Sequence, residues 1–117
     1  METRIEKFED IIAWQKARIL TLDIYKLFNS SRDFSFRDQI QRAVVSIMNN
    51  IAEGYERKGD KELGRFLFIA KGSCGEVRSM LYLALDLGYI DKVSFEKLHG
   101  NSLEISKILS GFIKKLQ

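Results

Sequence analysis

Asp38-Gln39-Ile40-Gln41-Arg42-Ala43-Val44-Val45-Ser46-Ile47-Met48-Asn49-Asn50-Ile51-Ala52-Glu53-Gly54 is the stretch on which the fold turns. Read at a period of ~3.6 residues, it places Ile40, Ala43, Val44, Ile47, Ile51 and Gly54 on one side, continuing Phe36 ahead of it. Arg42, Ser46, Asn49, Asn50, Glu53 and Arg57 fall on the other. That separation predicts an amphipathic helix from Phe36 to about Arg57. Ser35, with Asp38 three places on, has the pattern of a capping box at its start.

The same reading extends in both directions. Upstream, about Asp10 to Asn29 aligns Trp14, Ala17, Leu20, Ile24, Tyr25 and Phe28, with Lys16, Asp23 and Lys26 turned away. Asn29-Ser30-Ser31-Arg32-Asp33 interrupts the pattern with residues that bond their own backbone. Downstream, Gly59 supplies a stop and Asp60 a cap. A third helix is predicted from Lys61 to about Leu87, burying Leu63, Phe66, Leu67, Ala70, Cys74, Val77, Leu81, Ala84 and Leu85. Gly88 ends it, and Asp91 caps a fourth from Lys92 to about Leu116, with Phe95, Leu98, Ile105, Leu109, Phe112, Ile113 and Leu116 inward. Four such helices, each ~30 to 40 Å long and joined by short loops, predict an all-α, antiparallel up-down-up-down four-helix bundle as a single domain over residues 1–117.

Composition agrees. The 117 residues contain no proline, which long helices exclude from their interiors. They are 45% apolar and 30% charged, too ordinary for disorder and too few for two domains. The net charge of +3 comes from interleaved acids and bases, so it permits a polyanionic partner without demanding one. One cysteine, Cys74, allows no internal disulfide. Acids near the N-terminus and the absence of a long apolar run argue against secretion and membrane insertion, and the expected compartment is the cytoplasm.

Several apparent motifs fail on chemistry. Gly54-Tyr55-Glu56-Arg57-Lys58-Gly59-Asp60-Lys61 has an acid where a phosphate loop needs lysine, and no strand precedes it. Glu96-Lys97-Leu98-His99 matches the Glu-x-x-His unit of di-iron bundles, but the chain has one histidine, and both residues are placed opposite the apolar stripe, toward solvent. Cys74 sits beside Gly72, Ser73 and Gly75 on the predicted core stripe with no base near it. No catalytic residue, cofactor, metal ligand or small-molecule substrate is therefore expected.

Two features stay open. On helix two, Arg42, Ser46, Asn49, Asn50 and Glu53 neighbour one another and can form a polar ladder, with Arg42 and Glu53 balancing charge. It reads as a binding surface, a solvated face or a polar seam. On helix three, Phe68, Gly72, Gly75, Ser79, Tyr82 and Leu83 form a second stripe of small residues among large apolar ones. An interior glycine costs about 1 kcal/mol against alanine, so the stripe reads as an oligomer contact or as a widened core face.

Trp14-Gln15-Lys16-Ala17, Asp38 to Ile47, Asn50-Ile51-Ala52-Glu53-Gly54-Tyr55, Arg65-Phe66-Leu67-Phe68-Ile69-Ala70-Lys71-Gly72-Ser73 and Leu85-Asp86-Leu87-Gly88-Tyr89-Ile90 together resemble the four-helix-bundle family named after proteins encoded in intervening sequences of bacterial 23S rRNA genes. The chain departs from the usual pattern at Met48, where members commonly have proline, and at Cys74, where an aliphatic residue is usual. The resemblance implies a bacterial protein, often a ring-shaped homopentamer, without established enzymatic activity. A related branch serves diversity-generating retroelements, engaging nucleic acid and a reverse transcriptase through a positively charged pentamer. Five copies at +3 each would carry +15. Two functions follow as expectations. One is scaffolding or binding of RNA or a nucleoprotein through Arg57, Lys58, Lys61, Arg65, Lys114 and Lys115, which the topology gathers near one end. The other is a protein-interaction module that never touches nucleic acid.

Overall fold

A computed structural model describes residues 4–117. A short 3-10 turn, Phe8–Asp10, leads into α1 (Ile12–Phe28), α2 (Phe34–Glu56), α3 (Asp60–Asp86) and α4 (Lys92–Leu116). The described residues contain no strand. Each helix packs on the next and α1 closes against α4, which leaves α1 and α3 on a diagonal.

The helix boundaries follow from where backbone groups find partners, and three differ from expectation. The first helix starts at Ile12 and not at Asp10, because the Asp10 carboxylate accepts from the backbone amides of Glu6 (3.0 Å) and Lys7 (3.3 Å) and holds the preceding turn. The second starts at Phe34, and its cap is Asp33 rather than Ser35. Asp33 Oδ1 accepts from the Phe36 amide at 3.1 Å, while Oδ2 accepts from the Tyr89 hydroxyl at 2.7 Å, tying the α1–α2 loop to the α3–α4 loop. In the third correction, Lys58 takes the left-handed conformation that ends α2 (φ 52°), Gly59 at φ 135° becomes the cap of α3, and Asp60 lies in the first turn of α3. There the helix dipole favours an acid.

The two termini at the α3–α4 junction are as expected. Gly88 ends α3 in a left-handed conformation (φ 74°). The amides of Gly88 and Tyr89 bond back to the carbonyls of Leu85 (3.1 Å) and Ala84 (2.8 Å), a Schellman pattern. Asp91 Oδ1 caps α4 by accepting from the Ser94 amide at 2.7 Å.

Inside, the four apolar stripes meet. Ile40, Val44, Ile47, Ile51, Leu67, Ala70, Cys74, Val77, Leu81, Ile105 and Leu109 are fully enclosed. Each large side chain so buried contributes about 1.5–3 kcal/mol relative to exposure. The α2–α3 seam is close enough that a β-carbon on Gly54 would stand 2.6 Å from that of Phe66, so this glycine is a packing requirement. Met80 is buried and joins the core from α3, whereas Tyr25, expected on the inward side of α1, is 38% exposed. Leu85 and Phe95 pack at the margin, half-buried. Two serines, Ser102 and Ser106, lie inside α4's apolar stripe. Ser102 is accommodated because its hydroxyl donates to the Cys74 carbonyl at 3.1 Å. Among the described residues, no helix is long and apolar enough to cross a membrane.

Candidate functional site

The polar residues of α2 do not form one continuous ladder. Ser46 is the hub: its hydroxyl accepts from the Asn50 side-chain amide (2.8 Å) and from the Ser73 hydroxyl of α3 (3.0 Å). Asn50 also donates to the Ser46 carbonyl at 2.8 Å. This part is a polar seam between helices. Glu53 is bridged by Arg57 at 2.8 Å and does not balance Arg42. Arg42 and Asn49 stand exposed, lining a shallow recess with Tyr25 and Val45.

The basic end is divided in the same way. Arg57 and Arg65 lie over the Phe66 ring, their guanidinium carbons 5.1 and 4.8 Å from its centroid. Arg57 also contacts Glu62 at 3.9 Å, and Arg65 meets the Glu62 carboxylate through two nitrogens at 3.0 and 3.4 Å. The Arg65 hydrogen bond holds the Glu62 carboxyl below its ordinary range and raises the guanidinium reciprocally. Both arginines are thus engaged by acids and an aromatic ring. Lys58, Lys61, Lys114 and Lys115 are exposed and have no carboxylate within 4.0 Å among the described residues. The C-terminal turn of α4 reaches the start of α3, where Leu116 lies 3.9 Å from a β-carbon built on Gly64.

The second stripe of α3 faces outward. Phe68, Tyr82 and Leu83 are 53%, 52% and 47% exposed, and Gly72 and Ser79 lie exposed between them. A β-carbon on Gly72 would meet nothing within 4 Å, so no contact inside the chain explains that glycine. Gly75 is different: Arg78 Nη2 lies 3.8 Å from where its β-carbon would be, and Arg78 Nη1 is buried without a hydrogen-bond partner. At the edge of the stripe, Tyr82 packs on Phe95 and His99, with ring centroids 4.9 and 5.3 Å away. His99 is consequently half-buried in an aromatic cluster and not free in solvent as its position predicted, while Glu96 is exposed.

A surface that sequence reasoning missed lies between α1 and α2. Trp14, Gln15, Arg18, Ile19, Thr21, Leu22, Tyr25 and Met48 line an open groove of about 700 Å³. Ile19 and Leu22 are 59% and 54% exposed, and Arg18 lies over the Trp14 ring at 5.7 Å. Tyr25 joins this groove to the recess containing Arg42.

Cys74 is buried among apolar side chains, and burial pushes its thiol up to about 11 against the opposing influence of Arg78 and Ser102. A thiol held neutral in this way is a packing group and a poor nucleophile. Among the described residues, no three His, Cys, Asp or Glu side chains gather as a metal site requires.

Comparison with known proteins agrees with this geometry. A crystal structure of a protein of unknown function from the S23 ribosomal protein family of Bacteroides thetaiotaomicron superposes with a TM-score of 0.82 at 28% identity, covering 88% of this chain and 99% of that one. No curated protein sequence matches significantly. The family model described as 23S rRNA-intervening sequence protein matches residues 9–111, a span that includes every segment on which the resemblance was drawn. By that match, the chain belongs to the 23S rRNA-intervening sequence protein family.

Proposed function

We propose that the chain is a non-enzymatic assembly subunit of the cytoplasm: an antiparallel up-down-up-down bundle whose copies associate through the outward face of α3, as a ring. The observation that carries this reading is the α3 surface itself. Phe68, Tyr82 and Leu83 stand in water along this face, with Gly72 between Phe68 and the other two and nothing in the chain requiring a glycine there. Exposed apolar strips of this kind mark contact surfaces, and a missing side chain lets another backbone come close. The opposed pairings Gly54 with Phe66 and Ser46 with Ser73 support the antiparallel sense of α2 and α3. Native mass spectrometry of the wild-type chain and of a Phe68→Glu, Leu83→Glu variant tests the reading. Wild type should give multimers and the variant monomers; equal multimers in both would reject the α3 face.

A second reading, RNA or nucleoprotein binding, is favoured by one observation, the four lysines without an acid partner near one end. Because Arg57 and Arg65 are already engaged, Lys58, Lys61, Lys114 and Lys115 would carry the contact, and affinity would fall steeply with salt. Alanine at those four lysines should abolish a salt-sensitive gel shift of an rRNA fragment, and alanine at Arg57 and Arg65 should reduce it less. An unshifted RNA at low salt would remove this reading and leave the protein-interaction module.

A further inference from the structure

On the α1–α4 seam, the start of α1 and the turn before it meet the C-terminal part of α4 around a cleft of about 360 Å³. That volume falls in the range of small-molecule sites, which are mostly apolar with a few placed polar groups. Ile11 in this cleft is buried, Ile108 and Phe112 are half-buried, and Ile5 and Ile12 stand exposed. Its α4 wall also carries Lys107, Gly111 and Lys115, which follow one another at four-residue steps on one face of the helix. The two lysines are thus about 12 Å apart along the axis, with the glycine between them. A β-carbon on Gly111 would meet nothing within 4 Å. No contact inside the chain calls for a glycine there, and its missing side chain keeps the middle of the cleft open.

The charge of the cleft is not balanced from within. Lys107 and Lys115 are exposed, and neither has a carboxylate within 4.0 Å among the described residues. Glu104, three residues before Lys107, is a neighbour on the same helix surface, but Lys16 of α1 bridges it across the seam at 3.2 Å. Asp10 is the acid among the lining residues, and its Oδ2 is occupied by the backbone amides of Glu6 and Lys7 at 3.0 and 3.3 Å. An apolar trough therefore lies between two cations that no acid of the described chain neutralises.

We infer that this cleft binds a free, single-chain amphipathic carboxylate of the fatty-acid class. The alkyl chain lies over Gly111 against Ile12, Ile108 and Phe112, and the carboxylate meets Lys107 or Lys115. The two features select the ligand together. A compact inorganic anion would satisfy the lysines and leave the isoleucines in water. A neutral chain would cover the isoleucines and leave the lysines unpaired, and a cationic head would be repelled. Because the lysines are exposed, the ion pair adds selectivity more than affinity and weakens with salt. The alkyl chain supplies most of the binding through buried apolar area. Since α1 and α3 are diagonal in the bundle, the cleft is separate from the outward stripe of α3, and the inference does not depend on what covers that stripe.

Isothermal titration calorimetry of the full chain with octanoate, octanol and octylammonium tests it. Octanoate should bind, octanol at least threefold more weakly, and octylammonium more weakly still. Lys107→Gln with Lys115→Gln should bring octanoate down to the affinity of octanol and leave octanol unchanged. Gly111→Leu should weaken both at least tenfold, because the new side chain enters the space of the alkyl chain while its β-carbon touches nothing of the protein. Should Gly111→Leu not fold by circular dichroism, Ile12→Asp replaces it, at an exposed position in the first turn of α1 where an acid suits the helix dipole. It should likewise weaken octanoate at least tenfold. No binding of octanoate by the wild-type chain, equal affinity for octanoate and octylammonium, or octanoate binding that survives the cleft substitutions overturns the inference. Phosphatidylglycerol vesicles separate the free ligand from a membrane lipid. If vesicles retain the wild-type chain and not Gly111→Leu while free octanoate is unbound, the cleft takes a lipid and the inference is wrong.

Discussion

Gly54 and Gly72 sit inside α2 and α3, and a β-carbon added to each meets opposite surroundings. At Gly72 it enters open space, so in a lone chain Gly72→Ala gains the helix-propensity difference of about 1 kcal/mol. At Gly54 it stands 2.6 Å from the Phe66 β-carbon and 3.3 Å from Leu63 Cδ1. A β-carbon cannot swing aside as the end of a flexible side chain can, so the helices must separate. Overpacking of this kind costs about 1–3 kcal/mol. Set against the same propensity gain of about 1 kcal/mol, Gly54→Ala should be destabilised by up to ~2 kcal/mol. The two substitutions are chemically identical and should move the urea midpoint in opposite directions. Measuring them in the Phe68→Glu, Leu83→Glu background removes association from the comparison. In the wild-type background, Gly72→Ala should weaken self-association, because the added methyl stands where the second copy packs. A Gly54→Ala chain stabilised over its parent, as Gly72→Ala is, would refute the account of the α2–α3 seam. A Gly72→Ala chain destabilised in the monomeric background would show that this glycine serves the single chain after all.

Three further outcomes follow from the geometry. The Tyr89 hydroxyl and the Phe36 amide hold the Asp33 carboxyl below its ordinary range, so its stabilisation is complete above about pH 4 and disappears as pH falls through the folded value. Tyr89→Phe should therefore lower the melting temperature at neutral pH and flatten the acid limb of the stability profile; an unchanged acid limb would show that this loop tie is idle. Cys74, buried with its thiol raised to about 11, should react with a thiol reagent only at the rate of unfolding, and fast labelling of the native chain would contradict its placement. Ser102→Ala removes the hydrogen bond to the Cys74 carbonyl and should cost about 1 kcal/mol in chemical denaturation, with no loss of helix content.

What could be read from the sequence was what repeats along one helix. Ile40, Val44, Ile47 and Ile51 declare their face by spacing alone, and the structure buries all four. The cap of α2 was not legible in that way. Ser35 and Asp33 both carry capping oxygens, and the choice is made by Tyr89, whose hydroxyl arrives from far along the chain to hold Asp33 in place. Ser102 and Ser106 likewise look misplaced on an apolar stripe until Ser102 is seen to bond a carbonyl on another helix. The basic end shows the opposite error. Its residues lie where expected, but the local spacings Glu53 to Arg57 and Glu62 to Arg65 already describe neighbours on one helix surface, and those pairings leave only the lysines free. The α1–α2 groove escaped because Trp14 and Tyr25 fit a core stripe by periodicity. Only the packing angle between two helices decides that their outer edges stay open.

Sedimentation velocity of the wild-type chain, from low to high micromolar concentration, tests the central claim that the outward face of α3 is covered by another copy. A species several times the monomer mass that dissociates on dilution is the predicted result; a single monomeric boundary across the whole range would contradict it.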